Sequence, residues 1–279
     1  MRNRSLGKRV PERSITLTVN DRPHYLRRML TALAEVRGVE QWHLFVALEP
    51  GNDECAALCE AIAFMPRTIL QNRERRGIRG NPFHVLDTAF GQGSELVIYL
   101  EDDLIVSPDL CELAGWYQRQ VPELTLHDVQ IFFMNLFTTS TSGERADEIV
   151  ISKFFSPWGM IINRHQWRQC MAPCWWNDDH RYPGRQDWTL SLAEELNRHR
   201  RLLVLTPRLS RTANIGREGG VHSIPERHDL LVQGLVMNHD KKPIGYWINR
   251  DGNLRWRKLD YAAMSVSDDE QTESHSALA

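Results

Sequence analysis

No apolar stretch in this chain approaches membrane-spanning length. The N-terminus is basic, with Arg2, Arg4, Lys8, Arg9 and Arg13, but it lacks the apolar core of a signal peptide. These two absences lead to the expectation of a cytoplasmic protein. Cysteine is scarce and odd in number: Cys55, Cys59, Cys111, Cys170 and Cys174. Five thiols suit a reducing compartment better than a disulfide framework. Neither close pair has the CxxC knuckle of a structural zinc site. There is no internal repeat, and no glycine fingerprint of a dinucleotide site or P-loop. A net charge of −2 supplies no global attraction to nucleic acid. Positive charge is local instead, in the N-terminus and in Arg73, Arg75, Arg76 and Arg79.

What is present is the composition of a globular protein, 42% hydrophobic and 25% charged over 279 residues. That length holds one large α/β domain, placed at 14–260. A flexible basic N-terminus, 1–13, precedes it, and the Ser, Asp and Glu-rich tail at 261–279 is expected to be disordered. Strands are expected at 15–19, 42–48, 68–70, 129–134, 160–162 and 202–205. Helices are expected over 25–34, 53–64, 82–90, 110–120, from 164, and from 185 to about 198. Strands alternating with helices imply a mainly parallel, three-layer sheet. Asn20-Asp21-Arg22-Pro23 is a turn between the first strand and its helix, where Arg22 can meet a phosphate or a base. The stretches 135–148 and 210–222 read as polar loops, the second rich in glycine.

The chain is organised around residues 96–109. Leu96 to Leu100 form an apolar strand suited to burial on both faces, and it ends on Glu101, Asp102 and Asp103. Ser107, Pro108 and Asp109 then suit a helix start. The three acids therefore stand at the carboxyl end of a central strand, where open α/β sheets bind ligands. Crowded carboxylates repel unless a cation or hydrogen-bond donors offset them. Hard divalent cations take one or two carboxylates together with substrate phosphates.

Four segments in this order resemble the GT-A nucleotide-sugar glycosyltransferases, nearest to the β-1,2-N-acetylglucosaminyltransferase I family and its protein-O-mannose relative. They are Asn20-Asp21-Arg22; Tyr99 to Leu104 with Ser107-Pro108-Asp109; Phe154-Phe155-Ser156-Pro157-Trp158-Gly159; and Gln186-Asp187-Trp188 followed by Pro207 to Thr212 and Gly216-Arg217. The likeness runs from about Ile15 to His222. It implies a GT-A-like three-layer α/β/α sandwich. It also implies that Arg22 contacts the donor's diphosphate or uracil, with Glu49 at a nucleoside-binding position. Glu101 and Asp102 approach base and ribose, and Asp103 holds Mn²⁺ (or Mg²⁺) bridged to the diphosphate. Arg211 belongs to the Ser-Arg-Thr loop of the donor site, and Val221 and His222 to a loop that closes over the diphosphate. The family's catalytic base aligns with Gln186, so that role passes to its neighbour Asp187, with Asp178 and Asp179 in reserve.

The chemistry agrees. A sugar-diphosphate donor develops negative charge on its leaving group, which a divalent metal and basic residues stabilise. The acceptor hydroxyl needs a carboxylate to take its proton. One general base with direct displacement inverts the anomeric centre, and no residue is identified as a covalent nucleophile. The expected function is thus a metal-dependent inverting glycosyltransferase using a UDP-sugar, of bacterial or phage type. Its acceptor is a glycan, a lipid-linked sugar, a protein or a hydroxylated DNA base. Two other classes compete: a nucleotidyltransferase, whose glycine-rich signature after the first strand is missing here, and a catalytically silent sugar-binding domain. For the last, Trp158, Trp175, Trp176 and Trp188 are the candidate platforms among nine tryptophans.

Overall fold

Strand β1 (Arg13–Val19) is the pivot of the sheet in the computed structural model. That structure describes residues 12–125, 130–139, 145–177, 188–199, 201–219, 225–239 and 246–249. The expectations placed on 1–11 and 261–279 lie outside it. Beside β1 stand β2 (His43–Leu48), β3 (Arg67–Gln71) and β4 (Leu96–Glu101), all parallel and ordered β3-β2-β1-β4. Helices α1 (Pro23–Ala34), α2 (Asp53–Glu60) and α3 (Gly77–Gly91) make the crossovers. After them come β5 (Leu104–Val106), α4 (Leu110–Thr125), β6 (Gln130–Asn135), β7 (Glu148–Ser152) and β8 (Met160–Asn163). The chain continues through α5 (Arg164–Gln166), α6 (Ala172–Cys174), α7 (Trp188–Arg198), β9 (Leu202–Pro207), β10 (Thr212–Asn214), α8 (Pro225–Val232) and β11 (Trp247–Asn249).

Beyond β4 the sheet extends as β8-β6-β9-β7-β11, to nine strands among the described residues. Five of its eight neighbour pairs are parallel, so the fold is mixed α/β with a large, mainly parallel sheet. Strand β8 runs antiparallel to both β4 and β6. No described helix is long and apolar enough to cross a membrane.

The period-2 alternation of β4 sorts its side chains into two cores. Leu96, Ile98 and Leu100 face Leu26, Met29 and Leu33 of α1 and Leu113 of α4. Val97 and Tyr99 face Val85, Leu86 and Phe90 of α3, together with Trp167, Trp175 and Trp188. Trp175 and Trp188 are fully buried and stacked, with ring centroids 4.6 Å apart. Neither can serve as a sugar platform. Trp176, 51% exposed, still can.

Two helices depart from expectation. Helix α3 begins at Gly77 rather than at Pro82, which lies inside it. The cause is distant in sequence: Glu49, at the end of β2, accepts hydrogen bonds from the backbone N–H of Arg76 (3.0 Å) and Gly77 (2.7 Å). A carboxylate from another strand thus supplies the cap that residues 73–77 do not. The helix expected from 164 is three pieces: α5, a π-helical turn at Trp167–Met171, and α6. A capping box between Asn163 and Gln166 starts it.

All five thiols are free, and four of them are buried. Burial pushes Cys55 and Cys170 up to about 11, and Cys59 and Cys174 to about 12, with Cys111 higher still. At pH 8 they stay protonated and therefore poor nucleophiles. Native protein is expected to react slowly with a chromogenic disulfide reagent at pH 8, and to release five equivalents only after unfolding. A fast-reacting thiol in the folded protein would contradict this packing.

Candidate active site

Because β1 to β4 are parallel, the residues that follow each strand share one edge of the sheet. Arg22 follows β1, Glu49 follows β2, Asn72 follows β3, and Glu101, Asp102 and Asp103 close β4. The structure thus brings together five of the residues singled out from sequence. The Arg22 guanidinium lies between two acids: one terminal nitrogen donates to Asp102 Oδ1, and the other lies 2.8 Å from Asp103 Oδ2. The backbone N–H of Asn20 donates to the other Asp102 oxygen at 2.9 Å. Tyr99, two positions earlier on the same face of β4, donates its hydroxyl to Glu101 Oε1 at 2.8 Å.

These acids outnumber the one guanidinium that reaches them. Burial, with the Asp103 charge adding to it, pushes Glu101 up to about 8. Burial and Asp103 also push Asp102 up to about 6, against the downward pull of Arg22. Burial works against the Arg22 charge, but Asp103 and Asp102 outweigh it and raise the guanidinium above the usual arginine range. The cluster holds more acids than cations, yet no group of three or more His, Cys, Asp or Glu side chains among the described residues is arranged to hold a metal ion; a cation here would rest on Asp103, with its remaining oxygens brought by the ligand.

A second small sheet frames Asp103. Strands β5 and β10 pair antiparallel, setting Asn214 opposite Leu104. Ile215 N–H then donates to the Asp103 carbonyl at 2.8 Å, and the Asn214 amide reaches Asp103 Oδ1 at 3.4 Å. Gly216 packs so closely that a Cβ there would lie 2.0 Å from Asp103 Oδ2, so only glycine leaves the carboxylate its place. The glycine-rich stretch read as a loop therefore contains a strand. Asn214 is a site residue that sequence reasoning passed over; Tyr99 and Gly216 lay in the resembling segments but were given no role. Tyr99 was discoverable, since residues i and i+2 of a strand share a face.

Two residues expected at the donor, Glu49 and Arg211, have their polar atoms engaged within the protein. Glu49 has both oxygens engaged by Arg76 N–H and Gly77 N–H, with Asn72 Nδ2 at 3.3 Å. It caps α3 and positions the β3–α3 loop rather than presenting a free carboxylate to a nucleoside. Arg211 is 0% exposed and paired to Asp109, also 0% exposed, at 2.9 Å. Its remaining nitrogens donate to the carbonyls of Leu209 and Ala146. Ser107 and Tyr246 complete the Asp109 shell at 2.8 and 2.9 Å. Arg211 is thus a buried clamp between the β10 segment and the start of α4. Removing one partner of such a pair typically costs about 3–5 kcal/mol. Arg211→Ala is expected to lose that much in chemical denaturation while the folded fraction keeps its ligand affinity. A donor-contact residue would show the reverse.

Arg79, counted among the loop cations, is also structural. It donates to the carbonyls of Trp175 (2.9 Å) and Asn177 (3.0 Å) and to Ser191 Oγ (3.4 Å), and lies 5.2 Å from the Trp176 ring centroid. Asn177 and Ser191 are also joined to each other. They flank in sequence the segment carrying Asp178, Asp179, Gln186 and Asp187. Those four residues, with Val221 and His222, lie outside the described residues. The other loop cations, Arg73, Arg75 and Arg76, line a cleft of about 570 Å³ with His84.

No family model and no curated protein matches the chain. Several solved structures are similar to it. One is S. aureus TarS 1–349 in complex with UDP-GlcNAc: 15% identity, TM-score 0.49, 78% of this chain and 64% of that one. Another is the mannosyltransferase PcManGT from Pyrobaculum calidifontis in complex with GDP-Man and Mn²⁺: 13%, 0.45, 73% and 59%. A third is a cytidylyltransferase from Leptospira borgpetersenii: 12%, 0.35, 56% and 62%. The chain spans less than two thirds of the length of each. No score reaches 0.5, and both transferase classes occur among the three, so these likenesses by themselves assign no activity.

Proposed function

We propose that this chain is a GT-A-type glycosyltransferase. In this reading it moves a sugar from a nucleoside-diphosphate sugar, a UDP-sugar, to an acceptor hydroxyl with inversion at the anomeric carbon. The observation that carries the reading is the cluster of Arg22, Glu101, Asp102 and Asp103 at the carboxyl edge of a β3-β2-β1-β4 sheet. A guanidinium beside an under-compensated set of carboxylates can receive a ligand that brings both phosphate and a cation. The four resembling segments favour the β-1,2-N-acetylglucosaminyltransferase I branch.

Arg22 binds and orients the diphosphate, a planar fork suited to phosphate oxygens. Glu101 and Asp102 approach the base and ribose; Tyr99 and Asn20 keep those carboxylates in place. Asp103 would hold Mn²⁺ or Mg²⁺, with the Asn214 amide against its carboxylate and Gly216 leaving that carboxylate its place. When bound, that cation supplies positive charge to the developing diphosphate leaving group. Val221 and His222 belong to the segment that closes over it, and Asp187 takes the acceptor's proton. The cleft lined by Arg73, Arg75 and Arg76 favours an acceptor that carries negative charge, among them a hydroxylated DNA base or an anionic lipid-linked sugar.

The test is thermal unfolding with UDP, Mn²⁺, or both. A ligand at about 100 times its Kd stabilises by about 2.7 kcal/mol. UDP with Mn²⁺ is expected to raise Tm by several degrees, and UDP with EDTA by much less. No shift with UDP, GDP or CDP in the presence of Mn²⁺ would overturn the donor class.

A further inference from the structure

We infer that Arg22 is an exchangeable counter-ion, whose guanidinium occupies the Asp103 carboxylate until a donor diphosphate draws it away. Binding of diphosphate and of divalent cation is thereby coupled through one side chain. The inference rests on the donor and cation assignments above and adds the order they impose.

Three observations carry it. First, Arg22 is the principal compensation of Asp103, at 2.8 Å, since Asn214 reaches the other oxygen only at 3.4 Å. Asp102, by contrast, keeps a backbone donor in Asn20 when the guanidinium leaves. Second, Arg22 is incompletely satisfied here. Its Nε–H is buried and has no partner among the described residues, so a further oxygen acceptor is wanted at that edge of the fork. Third, a lane is built around the side chain. The Tyr25 ring lies 5.6 Å from the guanidinium carbon, and Gly219 flanks the Arg22 stem at a distance where a Cβ would make ordinary van der Waals contact. The Tyr25 hydroxyl accepts from the Glu218 N–H at 3.2 Å and so holds that wall.

The physical consequence is reciprocal. A cation arriving alone finds a guanidinium on its ligand and is repelled by it. A diphosphate arriving alone gains Arg22 but meets the charges of Asp102 and Asp103. When both arrive, Arg22 trades carboxylate oxygens for phosphate oxygens, engaging its free Nε–H, and Asp103 is released to the cation. Arg22 is a positioning residue toward the cation and a contact residue toward the diphosphate.

The decisive measurement is Mn²⁺ affinity without nucleotide, read from the free-Mn²⁺ electron paramagnetic resonance signal, for wild type, Arg22→Gln and Asp103→Asn. Arg22→Gln is expected to bind Mn²⁺ about tenfold tighter than wild type, while Asp103→Asn binds none. Added UDP is expected to tighten Mn²⁺ binding more in wild type than in Arg22→Gln. Equal or weaker Mn²⁺ binding by Arg22→Gln would overturn the exchange while leaving the cation assignment intact. No Mn²⁺ binding by either protein, even with UDP, would overturn both. A wild-type experiment covers a failure of the variant to fold. The ¹⁵N resonance of the Arg22 Nε–H is expected to move with UDP and Mg²⁺ together but not with Mg²⁺ alone. An equal response to Mg²⁺ alone would contradict the exchange.

Discussion

Asp103→Ala is expected to lower sugar transfer by at least about 10²-fold, several kcal/mol of charge stabilisation. The size follows from where the residue stands. Asp103 is held by Arg22 at 2.8 Å, its carbonyl by Ile215 N–H at 2.8 Å, and its carboxylate is walled by Gly216. A side chain so closely fitted at the carboxyl edge of a central strand has few ways to be replaced by a neighbour. The loss is expected in turnover and in Mn²⁺ dependence together, with EDTA inactivating the wild type and Mn²⁺ restoring it. Gly216→Ala is expected to mimic it, because the new methyl lies on the carboxylate. Wild-type rates for Asp103→Ala in the presence of metal would remove this residue from the site.

Asp187→Asn is expected to reduce transfer by about 10²- to 10⁴-fold, the usual contribution of a general base. Folding and UDP affinity are expected to stay nearly unchanged. The residue after it, Trp188, is fully buried, stacked on Trp175 and edge-on to Tyr99 at 5.6 Å. Tyr99 in turn donates to Glu101. The chain is therefore pinned beside the acid cluster at the position that follows Asp187, where α7 begins. In the proposed role Asp187 acts ionised, the form that accepts a proton. Asparagine keeps the shape but cannot take the proton. Retained transfer in Asp187→Asn, with loss in Asp178→Asn or Asp179→Asn, would place the base earlier in the same segment.

The strand that carries the acids was legible because its signal is local: a run of aliphatic residues, then three carboxylates, then the helix-start residues Ser107-Pro108-Asp109. The β1–turn–α1 unit was legible for the same reason, and so was Arg22 at its turn. What was not legible depends on contacts between distant residues. Nothing near Gly77 announces that Glu49, 28 positions earlier, caps its helix. Nothing around Arg211 says that its partner is Asp109, 102 positions away, rather than a ligand. An arginine in a polar loop reads the same whether it faces phosphate or a buried carboxylate. The pairing of β5 with β10 was hidden because both strands are three residues long, too short for a period-2 signal. The tryptophans could not be sorted for a related reason: composition records aromatic rings, and only packing tells the stacked core pair from exposed Trp176.

The central claim is that this edge of the sheet breaks the bond between a sugar and a nucleoside diphosphate. The most direct measurement incubates the protein with a panel of nucleotide sugars, Mn²⁺ and candidate acceptors, and analyses the nucleotide product. The account predicts release of a nucleoside diphosphate, UDP first among them, dependent on metal and lost in Asp103→Ala. Exchange of pyrophosphate into a nucleotide sugar, or binding of the nucleotide sugars with no turnover under any acceptor, would contradict it.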